Sequence, residues 1–209
     1  MHLLLTDRLI CPRCGPGFGL ILLADHLEDR RVIEGSLGCP NCRDRFPVER
    51  GFGDLRPPPR KIGEDVPGLE PPASPPATEV AAFLGLAQGA GSVALIGDVA
   101  GHAAALAELV PGVEVIGIDA GLRAWEEGEG VSRLIAGSTL PFDSASLRGV
   151  GLFAACDPSL ATELARVIAH AGRIAVWGTV REWEQRLTSA GLDVVASQET
   201  AVVVERRAP

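Results

Sequence analysis

The apolar positions from residue 78 onward fall into two alternating patterns. Short continuous runs, SVALIG (92–97), VEVIGID (113–119), RLIAG (133–137), RGVGLF (148–153) and RIAVWG (173–178), suit strands buried on both faces. Between them lie helical stretches: TEVAAFLGLAQG (78–89), GHAAALAELV (101–110), a short helix near LRAWEEG (122–128), PSLATELARVIAHAG (158–172) and REWEQRLTSAG (181–191). The fourth carries Pro in its first turn and Gly just past its end, the usual polarity of helix punctuation. Strands alternating with helices predict an α/β fold with a parallel, doubly wound sheet. LDVVASQ (192–198) and AVVVERR (201–207) follow each other almost directly, so they should close the sheet as an antiparallel hairpin.

Residues 56–77 have a different character. They hold eight of the sixteen prolines and predict an extended, semi-stiff spacer. The chain therefore divides into a small domain at 1–55, a proline-rich linker at 56–77 and the α/β domain at 78–209.

The small domain contains two C-x-x-C knuckles, Cys11–Cys14 and Cys39–Cys42, 24 residues apart. Two intervening residues let both sulfurs of a knuckle face one ion, and four thiolates satisfy the tetrahedral preference of zinc. A redox C-x-x-C of the thioredoxin kind comes singly and in a βαβ setting, which is absent here. A closed set of four sulfurs leaves no open coordination position, so the zinc is expected to be structural. Cys156 stands alone and reads as a small buried hydrophobe.

Charge narrows the partners. The net charge is −8; residues 1–55 carry seven Arg against eight acids, and residues 78–209 carry nine Arg against sixteen. An acidic second domain gains no counterion-release affinity for nucleic acid, and with 4% aromatics and no Tyr it offers few stacking platforms. A nucleic-acid partner would have to be gripped by the zinc module or by another subunit. No apolar run of 18 residues exists to span a bilayer. The opening MHLLLTDRLICPRC, broken by Asp7 and Arg8, does not read as a secretory signal, so a cytoplasmic protein with reduced thiols is expected.

CPRCG together with VIEGSLGCPNCRDRFPVERGFGDLRP resembles the Trm112-type zinc-ribbon family. The likeness rests on Gly35, Leu37, Cys39, Cys42, Phe46, Pro47, Val48 and Gly51 and covers residues 8–56. It implies a module that binds and supports methyltransferases acting on RNA and translation factors. VALIGDVAGHAAALAELVPGVEVIGID resembles the first strand, glycine loop, helix and second strand of class I S-adenosylmethionine-dependent methyltransferases. STLPFDSASLRGVGL and LARVIAHAGRIAVWG resemble later segments of that family. This resemblance implies that Gly97, Asp98, Gly101, Asp119, Ser138, Thr139 and Leu140 hold S-adenosylmethionine, with Asp119 on the ribose and 138–140 flanking adenine. In layout the chain also resembles the 23S ribosomal RNA guanine-N1 methyltransferases, which carry a small N-terminal zinc domain.

The sequence departs from the methyltransferase pattern in its loop. Leu95 occupies the usual acidic position and Val99 the middle glycine, where a side chain is expected to intrude on the cofactor. Near Arg148 an acid usual after the LPF segment is missing. An NAD-type loop fails on the four-residue spacing of Gly97 and Gly101. For chemistry, Asp157 is a candidate base or substrate ligand, although Asp-Pro-Ser is also a good helix start. His102 reads as a solvated helix end, His26 and His170 as surface, Trp177 and Trp183 as core, and EEGE (126–129) as a solvated turn. Trp125 could stack on a nucleoside or belong to an exposed lobe. Two functions fit: a methyltransferase fused in cis to its zinc module, or a non-catalytic methyltransferase-like scaffold. A zinc-module enzyme acting on small molecules also fits the acidity, with no specific residue behind it.

Overall fold

The computed structural model describes residues 1–60, 67–87 and 90–207. The first part of the chain supplies α1 (Leu3–Thr6), β1 (Ile10–Cys11), β2 (Gly15–Gly19), β3 (Ile21–Glu28), β4 (Arg31–Gly38), β5 (Arg45–Glu49) and β6 (Phe52–Asp54). The second part runs α2 (Ala77–Phe83), β7 (Gly91–Ile96), α3 (Ala103–Leu109), β8 (Val113–Ile118), β9 (Val131–Ile135) and β10 (Leu147–Phe153). It closes with α4 (Ala161–Val167), β11 (Ile168–Trp177), α5 (Arg181–Ser189), β12 (Asp193–Gln198) and β13 (Ala201–Glu205). Among the described residues, eleven strands form one sheet in the order β12-β13-β11-β10-β7-β8-β9-β6-β5-β4-β3.

Strands β7 to β11 are mutually parallel, whereas β13 lies antiparallel between β11 and β12, so the predicted terminal hairpin forms. This is a Rossmann-like, doubly wound sheet. The chain winds outward from β7 in both directions, which places a crevice at the carboxyl ends of β7 and β10. Both faces of the sheet are buried, as the unbroken apolar runs require. Val93 and Leu95 of β7 pack with Val80 of α2 and Leu106 of α3. The alternate residues Ala94 and Ile96 pack with Leu164 of α4 and Leu187 of α5. Trp177 stacks on Phe83 at 5.7 Å, and the Trp183 indole N–H donates to Ala154 O, so both serve the core as expected.

The helix expected at 158–172 is shorter than its pattern. A 3-10 turn at Pro158–Leu160 leads into α4, and the chain enters β11 at Ile168. Pairing of Ile168 with Leu147 claims this residue for the sheet, overriding the helical tendency of AHAG. Helix α2 likewise stops at Phe83, with Leu84 as its cap and Gly85 at φ 65°. The remainder of that expected helix reaches 88–89, outside the described residues.

The first 55 residues extend this sheet. β6 pairs in parallel with β9, Phe52 opposite Arg133 and Asp54 opposite Ile135, and β5, β4 and β3 follow antiparallel. A buried ion cluster fastens the seam. Arg133, 1% exposed, donates to Leu122 O, Trp125 O, Arg50 O and, at 2.8 Å, Glu127 Oε2. Arg31 reaches Glu127 and Val131 O, while the Met1 ammonium lies 2.7 Å from Glu127 Oε1. The expected solvated turn at 126–129 is thus incorrect for Glu127, whose carboxylate folds inward because two buried guanidiniums await it. Gly51 makes the room: a Cβ there would lie 1.9 Å from Glu127 Oε2, and its φ is 75°.

Arg133→Ala removes one partner of this buried cluster and should cost about 3–5 kcal/mol in urea unfolding. Burial alone would raise the Glu127 pKa, but the Met1 ammonium, Arg133 and Arg31 outweigh it and hold the carboxyl below 4.5. The unfolded chain then binds the proton more readily than the folded one. The resulting stability is complete above the ordinary Glu value and fades as pH falls through the lower folded value. Urea midpoints measured from pH 7 down to about 3 should drop over this window less steeply in Glu127→Gln than in the parent.

Candidate metal centre and carboxyl-edge site

Each knuckle is a tight turn at a strand end. Cys11 closes β1, Cys14 precedes Gly15 at φ 81°, Cys39 follows β4, and Cys42 stands in the turn into β5. The four Sγ atoms lie within 4.8 Å of one another. Cys11 to Cys42 is 3.7 Å and Cys14 to Cys39 is 3.8 Å. Four sulfurs about 2.3 Å from a central zinc ion would be roughly 3.8 Å apart, so the cluster fits the ion. Backbone N–H of Cys14 points at Cys11 Sγ and the Asn41 amide at Cys14 Sγ, both at 3.4 Å. Arg13 and Asp44, 3.1 Å apart, join the knuckles on the outside.

The thiols sense their crowding. Burial and the adjacent sulfurs push Cys42 up to about 12. For Cys39 burial acts upward, but the N–H groups of Cys42 and Asn41 prevail and bring it down to about 7. Four sulfurs this close favour a shared dication that stabilises all the thiolates together.

At the carboxyl edge of the sheet, β7 ends in Gly97 at φ 70°, and a 3-10 turn from Gly97 to His102 leads into α3. Asp98 is exposed on this turn. Val99 is fully buried in the cluster of Val80, Leu95 and Leu106, so its side chain points beneath the loop rather than over it. The anticipated intrusion of this valine does not occur. Leu95 is buried in that same cluster, which accounts for the absent acid. Half-buried Asp119, at the end of β8, accepts the Gly121 N–H through Oδ1 at 2.7 Å.

Ser138 is exposed and Thr139 half-buried, whereas Leu140 is turned into the core at 2% exposure. The Leu140 N–H donates to Glu163 and its carbonyl accepts from Arg166 of α4, which pins the loop. Cys156 Sγ lies 3.5 Å from where a Gly97 Cβ would stand. Burial, with the Asp98 and Asp119 carboxylates nearby, pushes its thiol up, so it is a poor nucleophile. Exposed Asp157 caps the Pro158 turn, accepting from Ser159 N at 2.8 Å. His102 is buried at 6% exposure, not solvated as expected, and its Nε2 has no hydrogen-bond partner among the described residues.

The linker contributes a feature that its composition conceals. Residues 67–71 lie across this edge as a strap. A Cβ on Gly101 would meet Glu70 O at 2.5 Å, and one on Gly121 would meet Pro67 O at 2.9 Å. Trp125 Nε1 donates to Leu69 O at 3.0 Å, and Leu69 packs into the core beneath. Trp125 therefore holds the strap. Gly101 admits a backbone of this same chain, and the only hint in the sequence is an apolar Leu69 among prolines. A cleft of about 910 Å³ opens at the opposite, amino edge, where Arg31, Glu114 and Glu127 are bound to one another.

No protein-family model and no curated protein sequence matches the chain. Among solved structures, geranyl diphosphate methyltransferase bound to geranyl diphosphate and sinefungin is similar at TM-score 0.52 and 11% identity, over 62% of this chain and 76% of that one. Haemonchus contortus phosphoethanolamine N-methyltransferase 2 gives TM-score 0.50 and 11% identity, over 66% and 54%. The complex of the Haloferax volcanii Trm112 methyltransferase activator gives TM-score 0.48 and 16% identity, over 63% and 90%, too distant to argue from. The first two establish a methyltransferase-like α/β fold. No helix among the described residues is long and apolar enough to cross a membrane.

Purified protein should carry one zinc ion per chain by elemental analysis, and Cys39→Ser should lose it. Chelation should then unfold the cysteine module, since structural zinc contributes folding energy on the order of 10 kcal/mol. Gly101→Val should expel the strap, seen as red-shifted Trp125 emission and faster proteolysis between 56 and 76.

Proposed function

We propose that the chain is an S-adenosylmethionine-dependent methyltransferase with its zinc module fused in cis, acting on RNA or a translation-related protein. The observation that carries this reading is the topological switch point between β7 and β10, where Gly97 and Asp98 follow β7 and Asp119 follows β8 at the same carboxyl edge, with Val99 turned beneath the loop. Gly97, Asp98, Asp119, Ser138 and Thr139 would hold the cofactor, with Leu140 fixing the last loop and Gly101 seating the strap. Bound there, S-adenosylmethionine supplies an electrophilic methyl group.

The chain's own task is to position an acceptor and exclude water, because methyl transfer demands little acid–base help. Asp119 retains acceptor capacity for ribose hydroxyls beyond its bond to Gly121. Asp157, which stands in its capping bond at the exposed start of the turn, serves structure first. The zinc module braces β9, lies outside the crevice and is suited to docking a large substrate. Cysteine ligands kept as thiolates suit a reducing compartment, in keeping with a cytoplasmic enzyme.

A second reading is favoured by the strap. Its main chain covers Gly101 and Gly121, as expected of a scaffold that has given up its ligand. Calorimetry separates the two. Binding of S-adenosylhomocysteine at micromolar concentration, weakened roughly 10- to 100-fold in Asp119→Ala, supports the enzyme. No heat up to millimolar ligand supports the scaffold.

A further inference from the structure

The charges of the first 60 residues are sorted by sheet edge, which their order in the sequence does not show. Strand β5 runs antiparallel to β6, Val48 opposite Gly53, and β6 ends with Asp54 opposite Ile135 at the end of β9. The second knuckle and the start of β5 therefore project past the carboxyl ends of the strands, on the edge that carries the glycine loop. The hairpin between β3 and β4 lies at the other edge, where Glu28, Asp29 and Glu129 line the amino-edge cleft.

Five arginines gather at the carboxyl edge: Arg13, Arg43, Arg45, Arg56 and Arg60. Arg60 donates to Arg45 O at 2.8 Å and to Arg56 O at 2.7 Å, so this segment is folded onto the module. Arg56 and Arg60 share Asp54 at 2.7 and 3.8 Å, and Arg13 holds Asp44 at 3.1 Å. Both aspartates are thus already engaged. Arg43 and Arg45 are exposed and form no ion pair among the described residues. Pro57 Cδ lies 3.8 Å from where a Gly137 Cβ would stand, so the cluster adjoins the 138–140 loop.

We propose that this arginine cluster is a docking surface for the phosphodiester backbone of an RNA, on the same sheet edge as the β7–β10 switch point and four strands along from it. Guanidinium forks match phosphate geometry, and with Asp44 and Asp54 taken up by Arg13, Arg56 and Arg60, the exposed Arg43 and Arg45 present two free forks on a chain of net charge −8. The one aromatic ring in the cluster, Phe46, is buried under Arg60 and offers no face to a base. Binding is therefore by charge, insensitive to base sequence and steeply salt-dependent. The inference rests on the methyltransferase reading only for what the docked RNA is presented to.

The test is fluorescence anisotropy of the full zinc-loaded chain with a labelled stem-loop RNA and a labelled polyglutamate of equal charge, across a salt series. The parent should bind the RNA at low salt. Arg43→Gln/Arg45→Gln should weaken it at least fivefold and lower the salt slope by about 1–2, with zinc content unchanged. Arg30→Gln, at the amino edge, should leave it within twofold. Unchanged affinity in the double variant, no RNA binding by the parent, or equal capture of polyglutamate would overturn the proposal. The last outcome would assign the cluster to an acidic protein. Cofactor calorimetry is independent: RNA binding without cofactor binding keeps the surface and removes the enzyme, and the converse does the opposite.

Discussion

The parallel contact between β6 and β9 is the interaction on which the rest of the molecule depends. Through it the ribbon that carries the four clustered cysteines becomes the edge of a large sheet. β9 would otherwise present unpaired backbone groups to solvent at the edge of the methyltransferase-like domain. Main-chain pairing is indifferent to sequence, so register needs a second device. The cluster of Arg133, Arg31 and Glu127 provides it, because buried charges tolerate only one alignment in which each is neutralised. Phe52, opposite Arg133 in the register, reinforces it with Arg123 over its ring at 5.4 Å.

That seam also positions the chemistry. Because β6 is parallel to β9, the chain leaves the module at the carboxyl edge, where the crevice is. The linker cannot then be a passive tether: from Pro57 beside Gly137 it reappears at Pro67 beside Gly121 and crosses Gly101 before α2 begins. The four-cysteine cluster, the ion cluster and the strap form one connected series ending over the glycine loop. The glycines serve this series as much as any ligand, Gly51 for the carboxylate of Glu127 and Gly101 for the backbone of Glu70.

The two parts of the molecule contrast in how they hold themselves together. In the α/β part, strands buried on both faces carry the stability, and the indole of Trp183 satisfies its N–H on Ala154 O. In the module, Leu37, Phe46 and Val48 continue the same core, and four clustered sulfurs and the buried ion pairs add to it. Its outer strand β3 leaves Ile21, Leu23 and Leu27 about half exposed.

What the sequence determined by itself was everything that depends on local spacing. The two C-x-x-C turns placed four thiols about one point, because each knuckle fixes its pair within a single turn. Continuous apolar runs separated by amphipathic stretches determined the doubly wound sheet, and the near-zero connection before β13 determined its antiparallel end. Asp-Pro-Ser at 157–159 likewise determined a capped turn. Tertiary structure alone decided which side of the chain each ambiguous residue faces. Val99, which the loop pattern sets over the cofactor, lies under the loop; Glu127, in a run that suits a solvated turn, lies between guanidiniums; His102, at a helix start, is buried. Only tertiary structure, too, laid the prolines across the glycine loop and brought Arg13 to Arg43, Arg45, Arg56 and Arg60. The physical reason is common to all of these. Periodicity reports how one element sees its own faces, but long-range strand pairing decides what stands opposite, and charge is paired in space rather than along the chain.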